Sequence, residues 1–432
     1  MNSPQTPGAN GDAPPSKGIA GYLATVRGFS ANARLFLMYA LLSGLGTGVW
    51  NVMFNLYLLR LGYSTVFVGL FWMVDMLFHG LFAFPAGLIG DKIGRRRTFI
   101  LATIFALLAR GSLLFVRDTT GLLVLAALAG MGEGFHAVAG APFMMENSEP
   151  EERPHLFSIN ASFSMISIFV GSLSAGFLTL FWAGILDVPD VAASAARWAL
   201  VTSLPLTFIS LVPLSVIREK PAQLVESFRD LFALRNMVNH DIVFKLVICS
   251  ALSGIGFGLT TRFFNVFFSV KHDASDDKVG FYLAIGALAS AASVLLSPWV
   301  SRRWGMAKGI MVTQLASLPF LLLLSVFSDI SVVMLVFVMR AGVASASMPL
   351  STQLSMAYVV SRERATTAGM THMAFDLGGA MGAVTAGALI GDGEFMAAFT
   401  VAAGVLVVPA VLYYRFFREF EEDEVVGDAT TP

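Results

Sequence analysis

The sequence predicts an all-α membrane protein of twelve transmembrane helices arranged as two pseudo-symmetric six-helix halves. Three observations predict it. Of 432 residues, 56% are hydrophobic and only 13% are charged, and the mean hydropathy is +0.73, far outside the range of soluble domains. Twelve apolar runs follow one another along the chain, most of them long enough for a hydrocarbon core of about 30 Å at 1.5 Å per residue. The second half also repeats the first. Ser253-Gly-Ile-Gly-Phe-Gly258 restates Ser43-Gly-Leu-Gly-Thr-Gly48, and Asn265 restates Asn55, at an offset of 210. At an offset of 211, Gly69, Gly94, Arg153, Gly171 and Gly176 return as Gly280, Gly305, Arg364, Gly382 and Gly387.

The elements follow in order. Residues 1–33 are rich in Pro, Gly, Asn and Ser and read as a disordered tail. They hold no apolar stretch of signal-peptide type, so the first run reads as the membrane anchor. The runs of the first half (34–217) are 35–59, 66–89, 98–116, 121–145, 155–181 and 195–216. A polar linker, 218–241, precedes the second half (242–416), whose runs are 242–270, 279–300, 310–327, 330–354, 366–390 and 395–414. An acidic tail, 417–432, closes the chain. Continuous spans in lipid must be helices, because no water is present to satisfy the backbone. Of the 28 Lys and Arg, twenty fall on the side of the termini and the linker, five on the other side, and Arg110, Arg262 and Arg340 inside runs. The positive-inside rule then puts both termini in the cytoplasm, and the expected location is the cell membrane.

The loop after the second run carries the densest signal. It reads Gly-Leu-Ile-Gly-Asp-Lys-Ile-Gly-Arg-Arg-Arg-Thr over 87–98, with five charges in the seven residues 91–97. Glycines permit a tight turn there, and a carboxylate can face the positive end of a neighbouring helix. The pattern closely resembles the signature loop between helices 2 and 3 of the major facilitator superfamily of transporters. With the repeat, the resemblance extends over roughly residues 35–415. It implies that helices 1, 4, 7 and 10 line a central cavity and that helix 2 packs near helix 11 across the halves. It also implies a conformational latch of Gly87, Asp91, Gly94, Arg95 and Glu146, with Asp91 near the start of helix 11 at Thr366. The second half lacks both acidic partners: Arg302 stands where Asp91 does and Ala357 where Glu146 does. The family's drug antiporters carry a Gly-Pro motif in helix 5 and an arginine in helix 4. Here helix 5 reads Val170-Gly-Ser-Leu-Ser-Ala-Gly176 and the helix 4 position is Gly130, which weighs against that subclass.

Ionisable groups inside spans are costly and mark function by default. Asn51, Asn55, Glu133, Arg262, Asn265 and Arg340 are the candidate substrate-cavity residues. Glu133 and Arg340 lie about 18 and 15 Å from the outer ends of their helices, so they could pair with each other or hold opposite ends of a solute. Arg110 reads as a structural partner within the first half. Asp75, His79, His372 and Asp376 are candidate proton-coupling groups. His79 and Asp376 sit about 15–16 Å from the cytoplasmic ends of their helices, a depth at which they meet if helices 2 and 11 touch. The i, i+4 spacing of each pair also allows contacts within one helix, or a metal site, though no metal and no cofactor is expected.

These observations point to a secondary active transporter that moves a small organic solute by alternating access, coupled to H+, embedded in a lipid bilayer and monomeric. A drug or metabolite efflux antiporter and a degenerate carrier acting as receptor or scaffold are the alternatives. A channel is disfavoured because nothing resembles a filter. A net charge of −1 argues against a nucleic-acid partner, and the connector is too short for a catalytic domain, so no enzyme is expected.

Overall fold

The computed structural model describes residues 28–149, 152–218, 240–360, 363–391 and 393–429. These described residues form twelve long helices. The first half comprises α1 (Ala31–Arg60), α2 (Thr65–Ile93), α3 (Arg95–Leu113), α4 (Thr119–Glu146), α5 (Arg153–Leu186) and α6 (Ala193–Ile209, continued by Leu211–Val216). The second comprises α7 (His240–Thr260), α8 (Asp276–Trp304), α9 (Met306–Val326), α10 (Ile330–Ser345, continued by Ser347–Tyr358), α11 (Arg364–Leu389) and α12 (Phe395–Ala429). Ten of them are long and apolar enough to cross a membrane. The other two, α3 and α11, are diluted by Arg95–Arg97 and Arg110, and by Arg364, His372 and Asp376.

Local chemistry sets the helix ends. Ser30, Ser64, Asp118 and Asp329 cap α1, α2, α4 and α10 by accepting first-turn backbone N–H groups, as short polar side chains do best. The tight turns after α2 and α8 are made by Gly94 (φ 94°) and Gly305 (φ 79°). These are repeat counterparts in a region of φ that disfavours other residues.

The structure redraws several boundaries. Helix α1 starts at Ala31, inside the segment read as a tail, and α12 runs on through Ala429 into the stretch read as an acidic tail. The run 242–270 is not one helix. After Thr260 it passes through a 3-10 turn (Thr261–Phe263), a short α-turn (Phe264–Val266) and a wide π-turn (Phe267–Lys271). The linker 219–239, most of the N-terminal tail and the Asp91 side chain lie outside the described residues.

Within the halves α1 packs on α5, α2 on α4 and α7 on α11; between them α2 packs on α11 and α5 on α8. The repeated glycines sit at these crossings. A Cβ at Gly69 would lie 3.0 Å from the Gly387 Cα, and one at Gly280 would lie 2.5 Å from the Ser172 carbonyl oxygen, beside Gly176. Small residues let helix backbones approach this closely in lipid.

The core shows where the halves join. One apolar cluster unites them at the ends of α1 and α7 far from the arginine loops, with Leu56 and Phe71 from one half and Leu259, Phe268 and Phe337 from the other. At the end that bears Arg95–Arg97 and Arg302–Arg303, hereafter the basic face, each half keeps a cluster of its own: Phe36, Phe99 and Phe143 in one, Leu246, Ile310 and Leu354 in the other. Along α2 and α11 the close approach persists to Gly80, whose Cβ would lie 3.1 Å from the Asp376 Cβ. Nearer the basic face, a Cβ at Gly87 or Gly369 would meet nothing within 4 Å. The halves are therefore closed against each other at one face and part towards the basic face.

Candidate functional site

The intramembrane charges converge between the halves. Asp75 and His79 stand on α2, Arg110 on α3, Glu133 on α4, Arg262 just past α7, and Asp376 on α11. Asp75 lies within electrostatic reach of Glu133, Arg262, Arg110 and Asp376. Close packing of α4 on α2 makes this possible: Gly130 lies so tightly against the Asp75 carbonyl that a Cβ there would collide with it.

The His79 Nδ1 lies 3.7 Å from the Asp376 Oδ2. This contact joins α2 of one half to α11 of the other. Asp75 is buried, and its Oδ2 has no hydrogen-bond partner. His372 is exposed, one helical turn from Asp376. Among the described residues no group of three or more His, Cys, Asp or Glu could hold a metal ion.

Glu133 does not pair with Arg340. Its Oε1 accepts from the Arg110 Nη2 at 2.8 Å, and Arg110 also lies over the Trp50 ring, 5.3 Å from its centroid. The reason is that α3 packs directly on α4, whereas α10 belongs to the other half. Arg110→Gln is expected to lower the melting temperature, and Glu133→Gln in the same chain to restore part of it. A coupling of about 1.5–3 kcal/mol in that double-mutant cycle would match a charged hydrogen bond, and strict additivity would refute the pairing.

Asn55 and Asn265 are spent on joining the halves. The Asn55 Nδ2 donates to the Arg262 carbonyl at 2.6 Å and to the Asn265 Oδ1 at 3.1 Å, and the Asn265 Nδ2 donates to the Val52 carbonyl at 2.8 Å. The Trp72 Nε1 donates to the Asn55 Oδ1 at 2.7 Å. Trp72 also carries the Arg262 guanidinium on its ring, 4.0 Å from the centroid. Neither amide is thereby left for a solute, in contrast to the expectation from sequence. Asn51 is exposed and lends its carbonyl to Asn265 at 3.3 Å. Arg340 donates from Nη2 to the Thr260 Oγ1 at 3.3 Å.

At the basic face the Arg95 Nε lies 3.4 Å from the Glu146 Oε1, so two expected latch members do meet. At the opposite face the structure adds a contact that sequence reasoning missed. Arg60, ending α1, forks onto Asp276, starting α8, with Nη2–Oδ1 at 2.5 Å and Nη1–Oδ2 at 2.8 Å. The pair crosses the halves and is nearly sealed from solvent, with side-chain exposures of 12% and 2%. Both residues fall between apolar runs of the sequence, and nothing local links positions 216 residues apart. Trp72 and Thr260 were missed for the same reason.

Known proteins share this architecture. A bacterial homologue of the human lysosomal transporter Spinster, in an inward-facing and unoccupied conformation, aligns over 91% of this chain and 97% of its own, with TM-score 0.75 and 16% identity. The nucleoside transporter NupG aligns over 89% and 99%, with TM-score 0.72 and 14% identity. A D-xylose-proton symporter aligns over 91% and 98%, with TM-score 0.68 and 14% identity. At these identities the likeness is one of fold. In sequence, NiaP of Bacillus subtilis (strain 168), a candidate niacin/nicotinamide transporter, is 29% identical over 125 residues. That match takes in 28% of this chain and 31% of NiaP, about a third of its length. The Major Facilitator Superfamily profile matches residues 35–339 and 246–430, nearly the whole membrane-embedded chain, and the chain belongs to that superfamily.

Proposed function

We propose that this transporter is a proton-coupled secondary carrier that moves a small organic solute across the cell membrane by alternating access, with both termini in the cytoplasm. The observation that carries the reading is the His79–Asp376 contact across the halves, 3.7 Å long. A histidine and a carboxylate attract when the first is protonated and the second is not. Protonating Asp376 removes the attraction and eases separation of α2 from α11, so proton binding and the conformational switch share one element. Asp75, buried beside them with an unpartnered oxygen, extends the relay.

The separation of the halves towards the basic face supports an inward-facing state, given the distribution of Lys and Arg. In the alternate state Asp91, Arg95 and Glu146 would latch that face, while Arg60–Asp276 would open. Partial likeness to NiaP supports a solute of the size of one aromatic ring.

The test is flux in proteoliposomes under an imposed pH gradient. Asp376→Asn is expected to abolish gradient-driven accumulation while leaving counterflow intact, and His79→Gln to shift the pH dependence. If both variants keep wild-type pH dependence and accumulation, the coupling assignment is wrong.

A further inference from the structure

Arg340 differs from the other intramembrane arginines. Arg110 is paired with Glu133, and Arg262 is stacked on Trp72 within reach of Asp75 and Asp376. Among the described residues no carboxylate lies within 4.0 Å of Arg340, and its Nε is enclosed without an acceptor. Among the described residues its one hydrogen bond is the 3.3 Å contact to the Thr260 hydroxyl. That hydroxyl already donates to the Gly256 carbonyl at 2.9 Å, so it acts towards the guanidinium only as an acceptor. Phe264 lies under the guanidinium, 4.8 Å from ring centroid to Cζ. A ring covers a face of the planar group and leaves donors in its plane, the edge that binds a carboxylate bidentately.

The backbone beside it is irregular too. Thr260 and Phe264 bracket the point where α7 gives way to 3-10 geometry. Non-helical backbone at membrane depth persists where it is buried in protein or lines a cavity, and broken helices mark binding sites in carriers. Arg340 lies about 15 Å from the start of α10, close to mid-membrane, and is only half-buried. A fixed, uncompensated cation at that depth is costly to keep.

We infer that the transported solute is a monoanion, an organic carboxylate or an equivalent oxyanion, and that its charged end docks on Arg340 at the α7 break. The Phe264 ring and the Thr260 hydroxyl hold the guanidinium for it. One uncompensated positive charge selects one negative charge. The inference rests on the carrier reading above and names the substrate class of that same site.

The test uses matched acid and amide pairs, benzoate with benzamide and hexanoate with hexanamide, on the full chain in phosphatidylcholine nanodiscs, where no lipid carries net charge. Carboxylates are expected to raise the melting temperature and amides not to. Arg340→Gln is expected to weaken the carboxylate effect at least about tenfold in concentration, as for loss of a charged hydrogen bond, and Arg340→Lys to retain part of it. In the absence of solute, Arg340→Met is expected to melt no lower than wild type, since it removes a charge that no carboxylate among the described residues compensates. Equal stabilisation by acids and amides, an unchanged response in Arg340→Gln, or no response to any carboxylate would overturn the anion seat. So would a fall in the solute-free melting temperature of Arg340→Met, which would give Arg340 a structural partner within the chain. Gradient-driven flux of a neutral or cationic solute, unaffected by Arg340→Gln, would overturn it as well while leaving the carrier reading standing.

Discussion

Asp276→Asn is expected to release the face opposite the basic loops and to shift the protein towards the conformation open there. The Arg60–Asp276 pair is bidentate and almost fully enclosed. Removing one partner of such a pair leaves an uncompensated buried charge and costs about 3–5 kcal/mol. The contact crosses the halves, so the loss falls on the closed arrangement alone once the alternate state exposes Arg60 to water. An offset of about 3 kcal/mol moves a two-state ratio roughly a hundredfold, enough to reverse a moderate preference. Spin labels at Asp187 and Ser328, exposed on loops of the two halves at that face, would read the change as a longer distance population. An unaltered distribution in both Asp276→Asn and Arg60→Gln would show that the pair does not set the equilibrium. The symmetric position in the other half cannot substitute: Asp276 answers to Thr65 at the repeat offset of 211, and the seal is therefore built once.

Gly258→Val is expected to prevent recovery of folded protein. Gly254 and Gly258 on α7 face Gly378 and Gly382 on α11, and each is pressed against a backbone carbonyl of the other helix. A Cβ at Gly254 would collide with the Phe375 oxygen, at Gly258 with Gly379, at Gly378 with Ala251 and at Gly382 with Ile255. These are two interlocked small-xxx-small motifs, the arrangement that lets membrane helices approach backbone to backbone. Backbone cannot move aside as a flexible side chain can, so even one methyl group costs about 1–3 kcal/mol, and a β-branched side chain more. Size-exclusion profiles and thermal melts would read the effect. Gly404→Ala is the control, because a Cβ there meets nothing within 4 Å; its melt should match wild type. A folded, monodisperse Gly258→Val protein would refute the packing argument.

Much of this was legible in the sequence, for physical reasons. Hydrophobic runs must be helices in lipid, and the repeated glycines are visible because backbone approach tolerates no other residue. The His79–Asp376 contact followed from depth arithmetic once α2 and α11 were taken to touch. What stayed hidden depends on which of several chemically equivalent partners the fold brings near. Glu133 had two arginines available, and only the packing of α3 on α4 selects Arg110. The amides of Asn55 and Asn265 look the same in sequence whether they face a solute or each other. The break in α7 was not recognised, because 261–271 contains no proline and its Arg262 and Asn265 read as cavity groups within one apolar run.

The glycine crossings between the halves have a mechanical meaning. Gly69 against Gly387 and Gly280 against Gly176 are one joint built twice, since α8 repeats α2 and α11 repeats α5. Two joints fix a line, and two rigid bodies in contact along a line can tilt about it as on a bearing. Neither surface carries a side chain to interlock, so the joint resists sliding less than a ridge-and-groove packing would. The duplication that gave the chain its symmetry thus also gave it an axle, and a bulky residue on one side alone would skew that axle rather than merely stiffen it.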